Sequence, residues 1–148
     1  MTAAPGPASA IAVSKELDRV MRADRGRLLA VLAAGLRDLG LAEDVLQEAA
    51  VSALSHWGRS GLPASPAGWL LQVARRKAID RLRGAARDSR KAQTLAILAE
   101  DAAEPQTIPD ERLRLIFVCC HPALEPKSRI ALTLRSVCGL TTPEIARA

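Results

Sequence analysis

The sequence predicts an all-α protein built from two small helical modules joined by a linker. Three observations carry that expectation. Apolar residues recur at three- and four-residue spacing through most of the chain, with no strand-like alternation and no short repeat. Cap-and-proline pairs, Ser65-Pro66 and Thr142-Pro143 behind Thr141, mark helix starts. An acidic, proline-containing stretch from Asp101 to Pro109 separates a longer N-terminal part from a shorter C-terminal one. With 148 residues, 49% hydrophobic and 25% charged, the chain has the composition of a folded protein and length for two small modules.

Residues 1–13, rich in Ala, Pro and Ser, read as a frayed tail. Helical patterning starts near Lys15, and Leu28, Leu32, Leu36 and Leu39 continue it with Gly40 as a stop. A second helix is expected over Ala42 to Trp57, burying Val45, Leu46, Ala49, Ala53, Leu54 and Trp57. Gly58 to Ser65 reads as a loop. Ser65 and Pro66 then open a third helix that runs to about Arg83, with Gly84 able to end it. A weaker helix is expected over Ser89 to Glu100. In the second module, Asp110 is the candidate cap of a helix carrying Leu113, Ile116 and Phe117, which stops near His121-Pro122. Pro126 opens another with Ile130, Leu134 and Val137 inside and Gly139 at its end. Thr141, Pro143 and Glu144 start a last helix that the chain leaves at Ala148. The expected boundaries are a tail over 1–13, a first module over 14–87, a linker over 88–109 and a second module over 110–148.

Charge is concentrated rather than spread. Of the net +5, residues 1–74 contribute nothing, because seven basic and seven acidic residues cancel. Residues 75–91 hold eight basic residues against Asp80 and Asp88. A short stripe of that kind is the electrostatic footprint of a nucleic-acid contact, although a solvated helix face would read the same way. Arg75, Arg76, Lys77, Arg81 and Arg83 are the candidate phosphate-binding residues. Asp80 sits among them with Arg76 at i−4 and Arg83 at i+3, which suggests an intrahelical ion pair. Asp44, Gln47 and Glu48, at i, i+3 and i+4, form an acidic patch on one face of the second helix. Such a patch suits charge-assisted hydrogen bonds to a partner's Arg and Lys. Its alternative use is to complement the helix dipole.

Other chemistries find little support. His56 and His121 have no recognisable nucleophile or partner set, and there is no glycine-rich phosphate loop, so no enzyme activity and no cofactor are expected. Cys119, Cys120 and His121 are adjacent, and neighbours on one backbone rarely converge on a tetrahedral centre, so small buried thiols are expected rather than a metal site. No apolar run approaches the roughly 18 residues that suggest a membrane span, and the first ten residues lack a secretory pattern. Cytoplasmic residence is the expectation.

The blocks in chain order carry a family resemblance. Leu41-Ala42-Glu43-Asp44-Val45-Leu46-Gln47-Glu48-Ala49, Pro66-Ala67-Gly68-Trp69-Leu70-Leu71 and Ala74 to Arg83 resemble region two of bacterial sigma factors. Ile108 to Phe117 and Cys119-Cys120-His121-Pro122-Ala123-Leu124 resemble the opening of region four, and Leu140 to Ala146 the first helix of its helix-turn-helix. The whole looks most like the extracytoplasmic-function (ECF) sigma factors, in the subgroup with a C-terminal extension, over residues 15–148.

That resemblance implies a region-two helical bundle and an incomplete region-four helix-turn-helix. It implies that Asp44, Gln47 and Glu48 bind core RNA polymerase at the β′ clamp coiled coil. The third helix would read and open the minus-ten element of promoter DNA, with Trp69 a candidate base contact beside the five basic residues. Helical spacing among apolar neighbours favours packing for Trp69. Arg76 and Gly84 stand where many relatives carry Asn and Arg, which leaves phosphate contact rather than base reading to that end of the helix. The scarcity of aromatics (Trp57, Trp69 and Phe117, no Tyr) implies limited opening power and narrow tolerance of promoter sequence. The second helix that would read the minus-thirty-five element is expected to lie outside this chain. An anti-sigma factor or a C-terminal regulatory extension is a further partner the resemblance allows. The competing expectations are a polymerase-binding fragment without productive promoter recognition and an ordinary helix-turn-helix regulator. The latter leaves the acidic patch unexplained.

Overall fold

The structure is a computed structural model that describes residues 6–85 and 108–148. The helix expected over Ser89 to Glu100, most of the acidic linker, and Arg87, Arg90 and Lys91 lie outside the described residues. Among the described residues there are seven helices and no strand. Helix α1 spans Ala10–Ala23 and is capped by Ser9, whose hydroxyl accepts the Ala12 N–H at 3.2 Å. It begins earlier than the expected tail allows. Val13 is 1% exposed and belongs to the core with Leu17 and Val20, and burying it draws the preceding turn into helix.

Helix α2, Arg25–Leu36, ends at Arg37, which takes a left-handed conformation (φ 54°) and donates its N–H to the Ala33 carbonyl at 2.8 Å. Asp38 then starts α3, Leu39–Ser60, its Oδ1 accepting the Leu41 N–H at 2.9 Å. Gly40 is therefore in the first turn of α3 and is not a stop. The reversal lies three residues earlier, at a side chain that gave no glycine signal. Helix α3 also runs through Gly58 to Ser60 before Gly61 (φ 85°) releases it. Its buried stripe is Val45, Leu46, Ala49, Ala53 and Trp57; Leu54, expected among them, is half exposed because it falls on the flank of the stripe. Helix α4, Pro66–Gly84, starts as the Ser65-Pro66 pair predicts, with the Ser65 hydroxyl accepting the Gly68 N–H at 3.3 Å.

Helix α2 is the centre of the fold. Leu28, Leu29 and Leu32 are fully buried, each contributing on the order of 1.5–3 kcal/mol through removal of apolar surface from water. Around it pack α1, α3 and α4, and α3 with α4 forms the most extensive pair. No described helix is long and apolar enough to cross a membrane.

The second unit comprises α5 (Arg112–Cys119), α6 (Pro126–Ser136) and α7 (Thr142–Arg147). It is seated on the first: α5 packs on α2, and Leu115 and Cys119 join the same buried cluster as α1–α4. On α6, where Ile130, Leu134 and Val137 are expected inside, Ile130 is exposed and Leu134 and Val137 are partly buried; on α5, Leu113 and Phe117 are exposed. Asp110 does not cap α5 from the cap position, which Glu111 occupies. Instead its carboxylate accepts the Arg112 N–H at 3.3 Å and grips the Arg112 guanidinium at 2.6 and 2.8 Å. Those hydrogen bonds hold its pKa down to about 2. The α7 start follows expectation, with Thr141 and Glu144 forming a capping box.

Gly26 sets the approach of the two units. A Cβ there would stand 2.4 Å from the Val137 carbonyl oxygen, a backbone atom with no rotamer to give way. Gly26→Ala gains up to about 1 kcal/mol of helix propensity, yet it must push the end of α6 off α2. A net destabilisation of about 1–3 kcal/mol is expected in urea denaturation. Gly58→Ala, where nothing lies within 4 Å of the added methyl, is the matched control and should be neutral or stabilising.

Candidate functional site

Two surfaces of opposite charge meet where α3 crosses α4. On α3, the caps and the buried stripe orient the helix so that Asp44 and Gln47 face solvent and Glu48 is partly exposed. The sequence-predicted trio therefore shares one accessible face. On α4, Leu70, Leu71, Ala74 and Ala78 are buried against the core. Helical geometry then divides the basic residues into two sets. Arg76 and Arg83, with Asp80, lie opposite the buried stripe and are exposed. Lys77 and Arg81, one turn apart, flank the stripe on the side of α3. With Asp44, Gln47, Glu48, Val51 and Ser52 they line a shallow open groove.

Arg81 crosses this groove. Its Nη1 lies 3.4 Å from the Asp44 Oδ2, and its Nη2 bonds the Glu48 Oε1. The charge pattern placed Arg81 with the DNA-facing cations and gave no sign of this contact, because its partners lie 37 and 33 residues away. Asp80 makes no ion pair with Arg76 or Arg83 among the described residues, so the intrahelical pairing expected for it is not formed. Arg75 is not free, being engaged in an interaction of its own.

Trp69, near the start of α4, is partly buried and packed. The His56 ring stacks on it at 5.3 Å with an interplanar angle of 26°, and Trp57 meets it edge-on at 5.4 Å. A base stacking on the His56-covered face would have to displace that ring. The packing role favoured by its spacing is thus the one its neighbours support. The sequence gives no sign of His56 at this site beyond its place one residue before Trp57.

A half-buried pair supports the acidic face from behind. The Arg25 Nη2 lies 3.7 Å from the Glu43 Oε1, and burial pushes the Arg25 guanidinium pKa down against the opposing pull of Glu43. Arg25 also borders a depression with Gln47, Arg135, Leu140 and Glu144, which brings the second unit to the edge of the trio. Among the cysteines, Cys119 is buried and its thiol pKa is raised by that burial; Cys120 is exposed, contrary to the expectation of a buried thiol, and Cys138 is exposed as well. Among the described residues no group of three or more His, Cys, Asp or Glu side chains is placed to hold a metal ion.

Comparison with known proteins bears on this geometry directly. Residues 20–88, which contain α2, α3, α4 and both charged surfaces, match the sigma-70 region 2 family. An uncharacterized protein of Rhizobium meliloti is 36% identical over 140 residues, covering 89% of this chain and 33% of its own length. The ECF RNA polymerase sigma factor SigK of Mycobacterium ulcerans is 32% identical over 130 residues, covering 82% of this chain and 67% of SigK. The probable ECF RNA polymerase sigma factor SigI of Mycobacterium tuberculosis is 29% identical over 133 residues, 84% of this chain and 45% of SigI. The chain thus spans about a third of the length of the Rhizobium relative and under half of SigI. No solved structure matches it. The region-two match across the helices that carry the acidic and basic surfaces, together with the likeness to SigK over two thirds of that protein, shows that the chain belongs to the ECF RNA polymerase sigma factors.

Proposed function

We propose that the chain acts in transcription initiation by binding core RNA polymerase through Asp44, Gln47 and Glu48 and promoter DNA through the basic half of α4. The observation that carries the proposal is the placing of both surfaces on one extensively packed helix pair. Carboxylates of α3 face solvent on one side, and Arg76 and Arg83 face solvent on another. A protein that must hold a polymerase and a duplex at the same time needs two such separate faces on a scaffold that does not bend between them. The polymerase element that fits the acidic trio is a basic helical surface, which in this family is the clamp coiled coil of β′. The nucleic acid that fits α4 is the minus-ten region. Its phosphates meet Arg76, Lys77 and Arg83, and Arg75 lies beside them on the same helix. An unstacked base captured nearby would offset the few kcal/mol that unpairing costs.

The test mixes the purified chain with core polymerase and then with fork-junction promoter DNA. Asp44→Lys combined with Glu48→Lys turns attraction into repulsion and is expected to weaken core binding by about tenfold or more, because like-charge juxtaposition costs several kcal/mol. Its circular dichroism spectrum should match the parent, since both side chains are solvent-accessible. Core binding unaffected by this reversal would overturn the assignment of the face. Core binding without DNA opening by the parent chain would favour a polymerase-holding fragment.

A further inference from the structure

We propose that Arg81 is an intramolecular latch on the polymerase-binding face. In the free chain it holds Asp44 and Glu48, and polymerase binding releases it toward DNA. This rests on the reading of Asp44, Gln47 and Glu48 as the polymerase face and adds a regulatory link between that face and α4. Arg81 belongs by sequence to the basic run, yet its guanidinium spans the groove to both carboxylates of the trio. Those carboxylates are the groups that a partner's Arg or Lys would need. A guanidinium already on them lowers the local negative potential and occupies part of their hydrogen-bonding capacity.

The latch is built to open. The Arg81 side chain is 43% exposed, Asp44 61% and Glu48 38%, so water competes throughout and the pairs are individually weak. Such a contact biases an equilibrium by a modest factor and does not lock it. Lys77, one turn before Arg81 on the same groove, is placed to follow it. When a basic partner surface takes Asp44 and Glu48, the freed Arg81 becomes an unpaired cation at the groove edge beside Lys77, from which its long side chain can reach a phosphate. Linkage makes the effect reciprocal: whatever draws Arg81 away to DNA exposes the acidic face to polymerase by the same factor. The two charged surfaces are then coupled through one side chain, with no change in backbone.

Four forms of the full chain separate this from the simpler alternatives: the parent, Arg81→Gln, Asp44→Asn with Glu48→Gln, and all three substitutions together. Core polymerase is titrated onto each without DNA. Fork-junction DNA is titrated onto each without polymerase, across a salt series. Arg81→Gln is expected to tighten core binding by roughly twofold to tenfold, the range two exposed pairs supply. The Asn/Gln pair should weaken core binding. It should also strengthen DNA binding, with the salt dependence steeper by about one phosphate contact, and the triple variant should lose that gain. If the Asn/Gln pair weakens core binding but Arg81→Gln weakens it or leaves it unchanged, the latch is overturned while the polymerase face stands. A gain in DNA binding that persists in the triple variant reduces the effect to bulk charge and also overturns it. If the Asn/Gln pair leaves core binding untouched, the face itself is misassigned, and the latch falls with it. Unchanged helical content and melting in all four forms is the folding control, as every substituted group is at least partly exposed.

Discussion

Trp57→Ala is expected to destabilise the first four helices by about 3–5 kcal/mol, the range for truncating a large buried aromatic. Trp57 is the largest fully buried side chain in the protein, with none of its surface exposed. It fills the space between α3 and the start of α4, and it meets Trp69 edge-on at 5.4 Å. Against a total stability of about 5–15 kcal/mol for an ordinary domain, that loss leaves a large unfolded fraction on mild heating. Urea denaturation followed by circular dichroism gives the measurement. Trp57→Phe is the informative companion. The indole Nε1 is buried without a hydrogen-bond partner among the described residues, so removing it recovers a desolvation cost of about 1–3 kcal/mol while giving up ring volume. The Phe variant should therefore stay within about 1–2 kcal/mol of the parent, the outcome of two opposing terms of similar size. A Phe variant as unstable as the Ala variant would mean that shape, not the unpaired donor, dominates the site.

The same packing explains what could be read from residues alone and what could not. Where a pattern is strong on one side of a helix, the reading holds. Val45, Leu46, Ala49, Ala53 and Trp57 mark the inner face of α3, and Ser65-Pro66 marks the start of α4 to the residue. The i, i+3, i+4 spacing of Asp44, Gln47 and Glu48 likewise puts them on one face of α3. Helix α5 failed that test for a physical reason. Leu113, Leu115, Ile116, Phe117 and Val118 surround almost its whole circumference over eight residues, so periodicity cannot choose a face. Contact with α2 chooses it, burying Leu115 and Cys119 and leaving Leu113 and Phe117 outside. The boundary at Arg37 was hidden because its left-handed turn uses a residue type that rarely adopts one. Arg81 was hidden more deeply. A charge census sees it beside Arg83 and Lys77, whereas its partners become neighbours only when α3 and α4 pack.

That packing also ranks the basic residues for DNA, and the ranking yields the second large effect. Arg76 and Arg83 project away from the core and from α3, and Lys77 sits at the groove edge. Replacing all three with Gln removes three candidate phosphate contacts and leaves Asp44, Glu48 and the Arg81 guanidinium between them in place, although Lys77 borders the same groove. Each contact adds about 0.9 to the slope of log affinity against log salt for duplex and about 0.7 for single strands, so the slope should fall by roughly two to three. At moderate salt the affinity for fork-junction DNA is expected to drop by about tenfold to a thousandfold, while core polymerase binding stays near the parent value. The contrast with the Asp44 and Glu48 reversal is the decisive one, because that pair should fail at the polymerase step and this triple only at the DNA step. Both steps lost together in the triple would place the Arg76–Arg83 side against polymerase and withdraw the two-face assignment. A lower affinity with an unchanged salt slope would instead assign these residues to base reading, since a lost base contact weakens binding without releasing fewer counterions. Of the two, a shallower slope is what the geometry of α4 supports, for Arg76 and Arg83 on the outward face and Lys77 at the groove edge are spread around the helix and meet phosphates along a strand more readily than the edge of a single base.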